Sequence, residues 1–164
     1  MTRILIGTGN PHAGDDAAGL FVARKARPLL PADVRVVEAA GDGTQLLDLW
    51  SEDDEVILVD AAVSGGSPGT IHQFDAMAGP VPARFNLRSS HAFGVAPGIE
   101  LARTLSRLPR RLTLFAIEAA SFDTGADPTP GVQRAIDEVA DAVVARWGGR
   151  MHLHRGDARG DARS

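Results

Sequence analysis

Short apolar runs that alternate with longer stretches of helical spacing set the main constraint on how this chain folds. Arg3–Gly7 (RILIG), Val34–Glu38 (VRVVE) and Glu55–Asp60 (EVILVD) are rich in aliphatic and β-branched residues. The first and third are nearly continuous apolar runs, as a strand covered on both faces requires. Thr70–Phe74 follows a Gly/Ser/Pro turn, and Leu112–Ile117 is a further apolar run. Asp16–Ala26, Thr44–Trp50 and Ile99–Leu108 carry helical patterns between them. The last helix is the clearest, with Thr129 as its predicted cap and Pro130 in its first turn. Val132, Ile136, Val139, Ala140, Val143, Val144 and Trp147 then recur on one face before Gly148-Gly149. Such alternation predicts right-handed βαβ units and a mainly parallel sheet covered on both faces.

A chain of 164 residues predicts one domain, placed at residues 1–149. Residues 150–164 repeat Arg-Gly-Asp-Ala-Arg and hold few apolar residues beyond Met151 and Leu153, which reads as a disordered tail. The absence of Cys removes disulfides, thiolate nucleophiles and Cys-based metal sites. Net charge is -4 with no long basic run before the tail, so a nucleic-acid footprint is not expected. The apolar run at Ile4-Leu5-Ile6 is far too short for a signal core or a membrane span. The cytoplasm is the expected location. No long apolar surface stripe calls for a permanent dimer, so a monomer is expected.

The loop from Gly7 to Gly19 joins the first strand to the first helix, where α/β sheets place ligands. Asp15 and Asp16 stand where a pyrophosphate would lie, and carboxylates at a helix start repel an anion, which argues against a nucleotide. One helix cap needs one Asp; the second is free to bind something. Gly65-Gly66-Ser67-Pro68-Gly69 matches a nucleophile-elbow spelling, but Pro68 has no N–H for an oxyanion hole, so it reads as a turn. Asp60 ends the third strand, and His91 precedes a helical pattern. Asp16, Asp60 and His91 lie on three loops that such a sheet gathers at one edge. Two carboxylates and an imidazole suit a divalent metal, whether nickel, zinc, manganese or iron.

Several motifs fall in order along the chain. Gly7-x-Gly9-Asn10 and Asp15-Asp16-x-x-Gly19 come first, then Gly41-Asp42-Gly43-Thr44, Val59-Asp60-Ala61 and Pro68-Gly69-Thr70. Ser90-His91-x-x-Gly94, Ile117-Glu118 through Ser121, and Pro128-Thr129-Pro130-x-Val132 complete the set. In order and spacing the chain resembles the hydrogenase maturation endopeptidases, from Ile4 to about Trp147. That resemblance implies a phosphorylase/hydrolase-like three-layer αβα fold. It also implies an endopeptidase that trims the C-terminal extension from the nickel-loaded large-subunit precursor of a [NiFe]-hydrogenase. Nickel seated in the substrate would be the recognition element, read by Asp16, Asp60 and His91 as metal-binding and catalytic residues. Asn10, Asp15, Gly43 and Thr44 would lie near the substrate. The alternative is a non-proteolytic assembly factor that senses metal on the same fold. Pro97 departs from the family pattern, and a mid-helix proline predicts a later helix start or a kink.

Overall fold

The computed structural model describes residues 1–86 and 93–148. Five strands, β1 (Arg3–Thr8), β2 (Arg35–Ala39), β3 (Glu55–Ala62), β4 (Ile71–Asp75) and β5 (Arg111–Glu118), form one sheet in the order β2-β1-β3-β5-β4. The first four in that order are parallel; β4 runs antiparallel to β5. β1 and β3 are buried almost along their whole length, in keeping with their unbroken apolar sequences.

The two faces of the sheet bury different residues. Ile4, Ile6, Leu58, Leu112 and Leu114 point to one side and pack with Leu46, Ile99 and Ala102. These last three come from a 3-10 segment, Gly43–Asp48, and from helix α2 (Val95–Thr104). Leu5, Ile57, Val59, Phe115 and Ile117 point to the other side. There they meet helices α1 (Ala18–Ala26) and α3 (Pro130–Trp147), the latter through Val132, Ile136, Val139, Val143 and Trp147. Alternation along each strand therefore yields helix, sheet and helix layers. Among the described residues no helix is long and apolar enough to cross a membrane.

Local boundaries differ from the sequence expectations for identifiable reasons. The Thr44–Trp50 pattern forms a 3-10 segment rather than an α-helix, with the Asp42 carboxylate accepting from Thr44 N–H as its cap. α2 starts at Val95, earlier than expected, and Pro97 neither delays nor breaks it. Pro97 falls in the first turn, where a backbone N–H has no partner within the helix. Thr129 occupies the cap position of α3, yet its side chain makes no capping bond. Its hydroxyl is engaged elsewhere. The tail expected over residues 150–164 lies outside the described residues, as does residue 149.

Close backbone contacts fix how the helices approach the sheet. A Cβ at Gly19, in the first turn of α1, would stand 2.2 Å from the Val59 carbonyl oxygen and 2.5 Å from that of Thr8. Gly43 and Gly98 meet backbone to backbone: a Cβ at Gly98 would lie 2.6 Å from Gly43 Cα. The sequence between Gly41 and Thr44 is thereby seated on the start of α2, and Gly43 N–H donates to the Phe93 carbonyl at 2.9 Å.

Candidate active site

Strand order reverses at β1: β2 lies on one side of it and β3 on the other. The carboxyl ends of β1 and β3 thus flank the switch point, where α/β sheets open a crevice. β1 ends at Thr8, which is fully buried, and Gly9 N–H then donates to the Ala39 carbonyl at 3.1 Å. The following loop closes through a short 3-10 segment, Gly14–Ala17, that carries both aspartates.

The two aspartates do different things. Asp15 is completely buried, and its carboxylate accepts from Ala120 N–H (2.6 Å), Ser121 N–H (3.0 Å) and Thr129 N–H (2.6 Å). The Thr129 hydroxyl also donates to it. Asp15 therefore holds the first loop to the segment between β5 and α3. The same two loops join through Asp15 N–H to the Ser121 carbonyl (2.8 Å) and Gly125 N–H to the His12 carbonyl (2.7 Å). Asp16 turns the other way, its Oδ2 accepting from Asn10 N–H at 3.0 Å. Neither carboxylate caps the helix beside it.

Asp60 stands near the end of β3. Loss of water around its carboxyl group raises its pKa from 3.8 to about 7, and the negative charge of Asp16 adds to the rise. A hydrogen bond from the Thr8 side chain and one from Ala61 N–H oppose it. Asp16, in the 3-10 segment after β1, and Asp60, in β3, are thus brought within interacting range by the topology. The Thr8 hydroxyl also lies 3.1 Å from the Val59 carbonyl, the alternative acceptor for its single proton, so it sits between the ends of β1 and β3. The sequence reading missed Thr8 because a single hydroxyl ending an apolar strand gives no chemical signal.

His91 lies outside the described residues, two positions before Phe93. Among the described residues no three His, Asp or Glu side chains are grouped so as to hold a metal. The donor chemistry of Asp16 and Asp60 nevertheless fits a divalent cation, since a positive charge between two repelling carboxylates relieves that repulsion. Asn10 is exposed and its side-chain oxygen accepts from His12 N–H. Gly43 is buried against α2, whereas Thr44 is exposed with its hydroxyl on Asp42. His12, like Asn10, is exposed.

A second polar cluster adjoins this crevice. Glu118, the last residue of β5, is 1% exposed although it carries a carboxyl group. His72 Nε2 lies 2.9 Å from its Oε1, while Ser64 N–H donates to Oε2 at 3.1 Å and the Ser64 hydroxyl to Oε1. The segment Gly65–Gly69 forms a turn, closed by Thr70 N–H to the Ser67 carbonyl and tied to β5 by Gly69 N–H to the Glu118 carbonyl. A carboxylate ending the run LFAI was the visible signal for this cluster.

Architecture and crevice define a three-layer α/β protein with two carboxylates at its switch point, and comparison with known proteins supplies the class of activity. A family model described as hydrogenase maturation protease matches residues 22–146. The hydrogenase 2 maturation protease of Escherichia coli strain K12 is 30% identical over 149 residues, covering 88% of this chain and 90% of that protein. The hydrogenase expression/formation protein HupD of Rhodobacter capsulatus is 31% identical over 153 residues, covering 88% and 72% respectively. The solved structure of the hydrogenase maturating endopeptidase HybD from E. coli is similar with a TM-score of 0.74 and 28% identity, covering 89% and 91% of the two chains. The chain belongs to the hydrogenase maturation protease family.

Proposed function

We propose that this endopeptidase removes the C-terminal extension of a nickel-loaded [NiFe]-hydrogenase large-subunit precursor, in the cytoplasm, in a transient one-to-one complex. The observation that carries the reading is the pairing of Asp16 with Asp60 at the sheet's switch point. The metal ligands proposed are Asp16, Asp60 and His91, and the nickel they read belongs to the substrate; another divalent ion has the same ligand requirement. Such an ion polarises a carbonyl or a water as a Lewis acid. The chain's own residues hold the carboxylates in place: Asn10 N–H fixes Asp16, and Thr8 fixes Asp60. With no Cys and no elbow serine, direct attack by water replaces an acyl-enzyme.

The test is a processing assay in which the nickel-loaded precursor from the same genome is incubated with the protein and its mass is followed. A nickel-dependent loss of a short C-terminal peptide, absent with Asp16→Ala and with His91→Ala, is the expected result. Normal processing by those two variants would overturn the site assignment. Binding without a change in mass would favour the assembly-factor alternative.

A further inference from the structure

The free edge of β4 differs from the other edge of the sheet. Its pairing with β5 is set by Glu118 N–H to the Thr70 carbonyl and Ala76 N–H to the Leu112 carbonyl, both 2.9 Å. Within the same register His72 faces Ala116 and Phe74 faces Leu114. In an antiparallel ladder hydrogen-bonded pairs alternate, so positions 70, 72, 74 and 76 bond inward to β5. Ile71 and Gln73 therefore aim their N–H and C=O groups outward, and among the described residues nothing is bonded to them.

The opposite edge strand, β2, is protected by charge. It carries Arg35 and Glu38, and Glu38 is ion-paired to Arg24 (2.8 Å) and Arg27 (3.4 Å). Charged side chains along an edge discourage a further strand. β4 reads Ile71-His72-Gln73-Phe74 and meets no Asp, Glu, Lys or Arg before Asp75. The buried bonds from Glu118 to His72 and Ser64 hold the beginning of this strand and its preceding turn in place. An edge that is both open and rigid is suited to strand addition.

Its position relative to the crevice is set by the register. Asp60 pairs with Ala116, and Ala116 with His72, so the three stand in one row on one face of the sheet. At about 4.8 Å per strand, His72 is about 10 Å from Asp60 and a strand added outside β4 about 14 Å from it. An extended chain at about 3.3 Å per residue crosses that gap in four or five residues. On the crevice face the added strand would meet an aromatic group in which Phe85 packs edge-on to both His72 and Phe74, each at 4.9 Å between ring centroids.

We propose that β4 is a docking edge on which an extended segment of the protein substrate, about four or five residues from the cut bond, pairs with Ile71 and Gln73 as an added strand. The inference rests on the reading of the substrate as a hydrogenase large-subunit precursor. Backbone bonds supply the affinity, and apolar residues at alternate positions of the segment pack toward His72 and Phe85.

Two measurements test it. Proline at position 73 removes an outward N–H and no bond within the sheet, so Gln73→Pro is expected to melt near the wild type and to raise KM for the precursor about tenfold while kcat is retained. Separately, a synthetic peptide copying the C-terminal region of the precursor is added to the wild-type chain, and amide hydrogen exchange is read at Ile71 and Gln73. Both amides are expected to slow about tenfold or more on binding. A Gln73→Pro protein that is folded and processes with unchanged KM, or unprotected amides in the bound state, would overturn the docking edge. Protected amides together with a wild-type chain that never shortens the precursor would retain the edge and remove the protease reading.

Discussion

Thr129 donates both its backbone N–H and its hydroxyl to the carboxylate of Asp15, which lies 114 residues earlier in the chain. The start of α3 is thus anchored in the first loop, and the anchor sits one residue from Asp16. Fold stability and site geometry are coupled through that single carboxylate.

Replacing Asp15 by Ala leaves the N–H groups of Ala120, Ser121 and Thr129 without an acceptor. Hydrogen bonds to a buried charge are among the strongest in proteins, and stranded donors add their own cost. Asp15→Ala is expected to lose about 3–5 kcal/mol in urea unfolding. A loss below about 1 kcal/mol would show that the clamp is dispensable.

Asp60 gives a pH-dependent prediction for the free protein. Its pKa is raised from 3.8 to about 7 in the folded chain. Between those values the native state keeps a proton that the unfolded chain has released, so stability falls as pH rises and the loss is complete above about 7. The shift corresponds to something on the order of 4 kcal/mol. Asp60→Asn removes this penalty, and its advantage over the wild type should grow from pH 4.5 to pH 8. Equal gaps at the two pH values, measured by chemical denaturation, would contradict the burial of this carboxyl.

The same Asp60→Asn protein, and Asp16→Asn, should fail to process precursor while remaining folded. A drop of about a hundredfold or more is expected where carboxylates bind or position the reacting group. Single-turnover mass spectrometry with the loaded precursor measures it directly. A more stable but inactive Asp60→Asn would show that the site is maintained at the expense of the fold.

Gly98→Ala forces a Cβ to within 2.6 Å of Gly43 Cα and of its carbonyl oxygen. Both neighbours are backbone and cannot rotate away, so α2 must move off the Gly43–Asp48 segment. A cost of about 2 kcal/mol is expected from overpacking of this kind. Thermal melting of Gly98→Ala beside Ala102→Gly, which changes the same helix without the clash, separates crowding from helix propensity.

The central strands β1, β3 and β5 were legible because they are buried on both faces and so carry nearly unbroken apolar runs. Asp60 was legible for a related reason: a charge that ends such a run has few places to go except the sheet's edge. Asp15 and Asp16 were not separable in sequence. Adjacent and chemically identical, they differ only in which long-range partners meet them, Thr129 for one and Asn10 N–H for the other. The buried pairing of His72 with Glu118 was hidden too, since it depends on the register between β4 and β5. Pro97 misled because a proline's cost depends on its place within the helix, and α2 begins two residues before it.

The reversed direction of β4 has a consequence for how this crevice can diversify. β4 ends beside Leu112, near the start of β5, whereas α2 begins beside Gly43, at the sheet's other end. The chain from residue 76 to residue 94 must therefore climb the height of the sheet, about five strand residues or 17 Å. Far fewer residues would span that distance. Part of that surplus is anchored, since Val81 and Phe85 are buried in the core and Val81 N–H donates to Glu100. Its exposed positions Met77, Ala78 and Arg84 can be exchanged without altering the register of any strand.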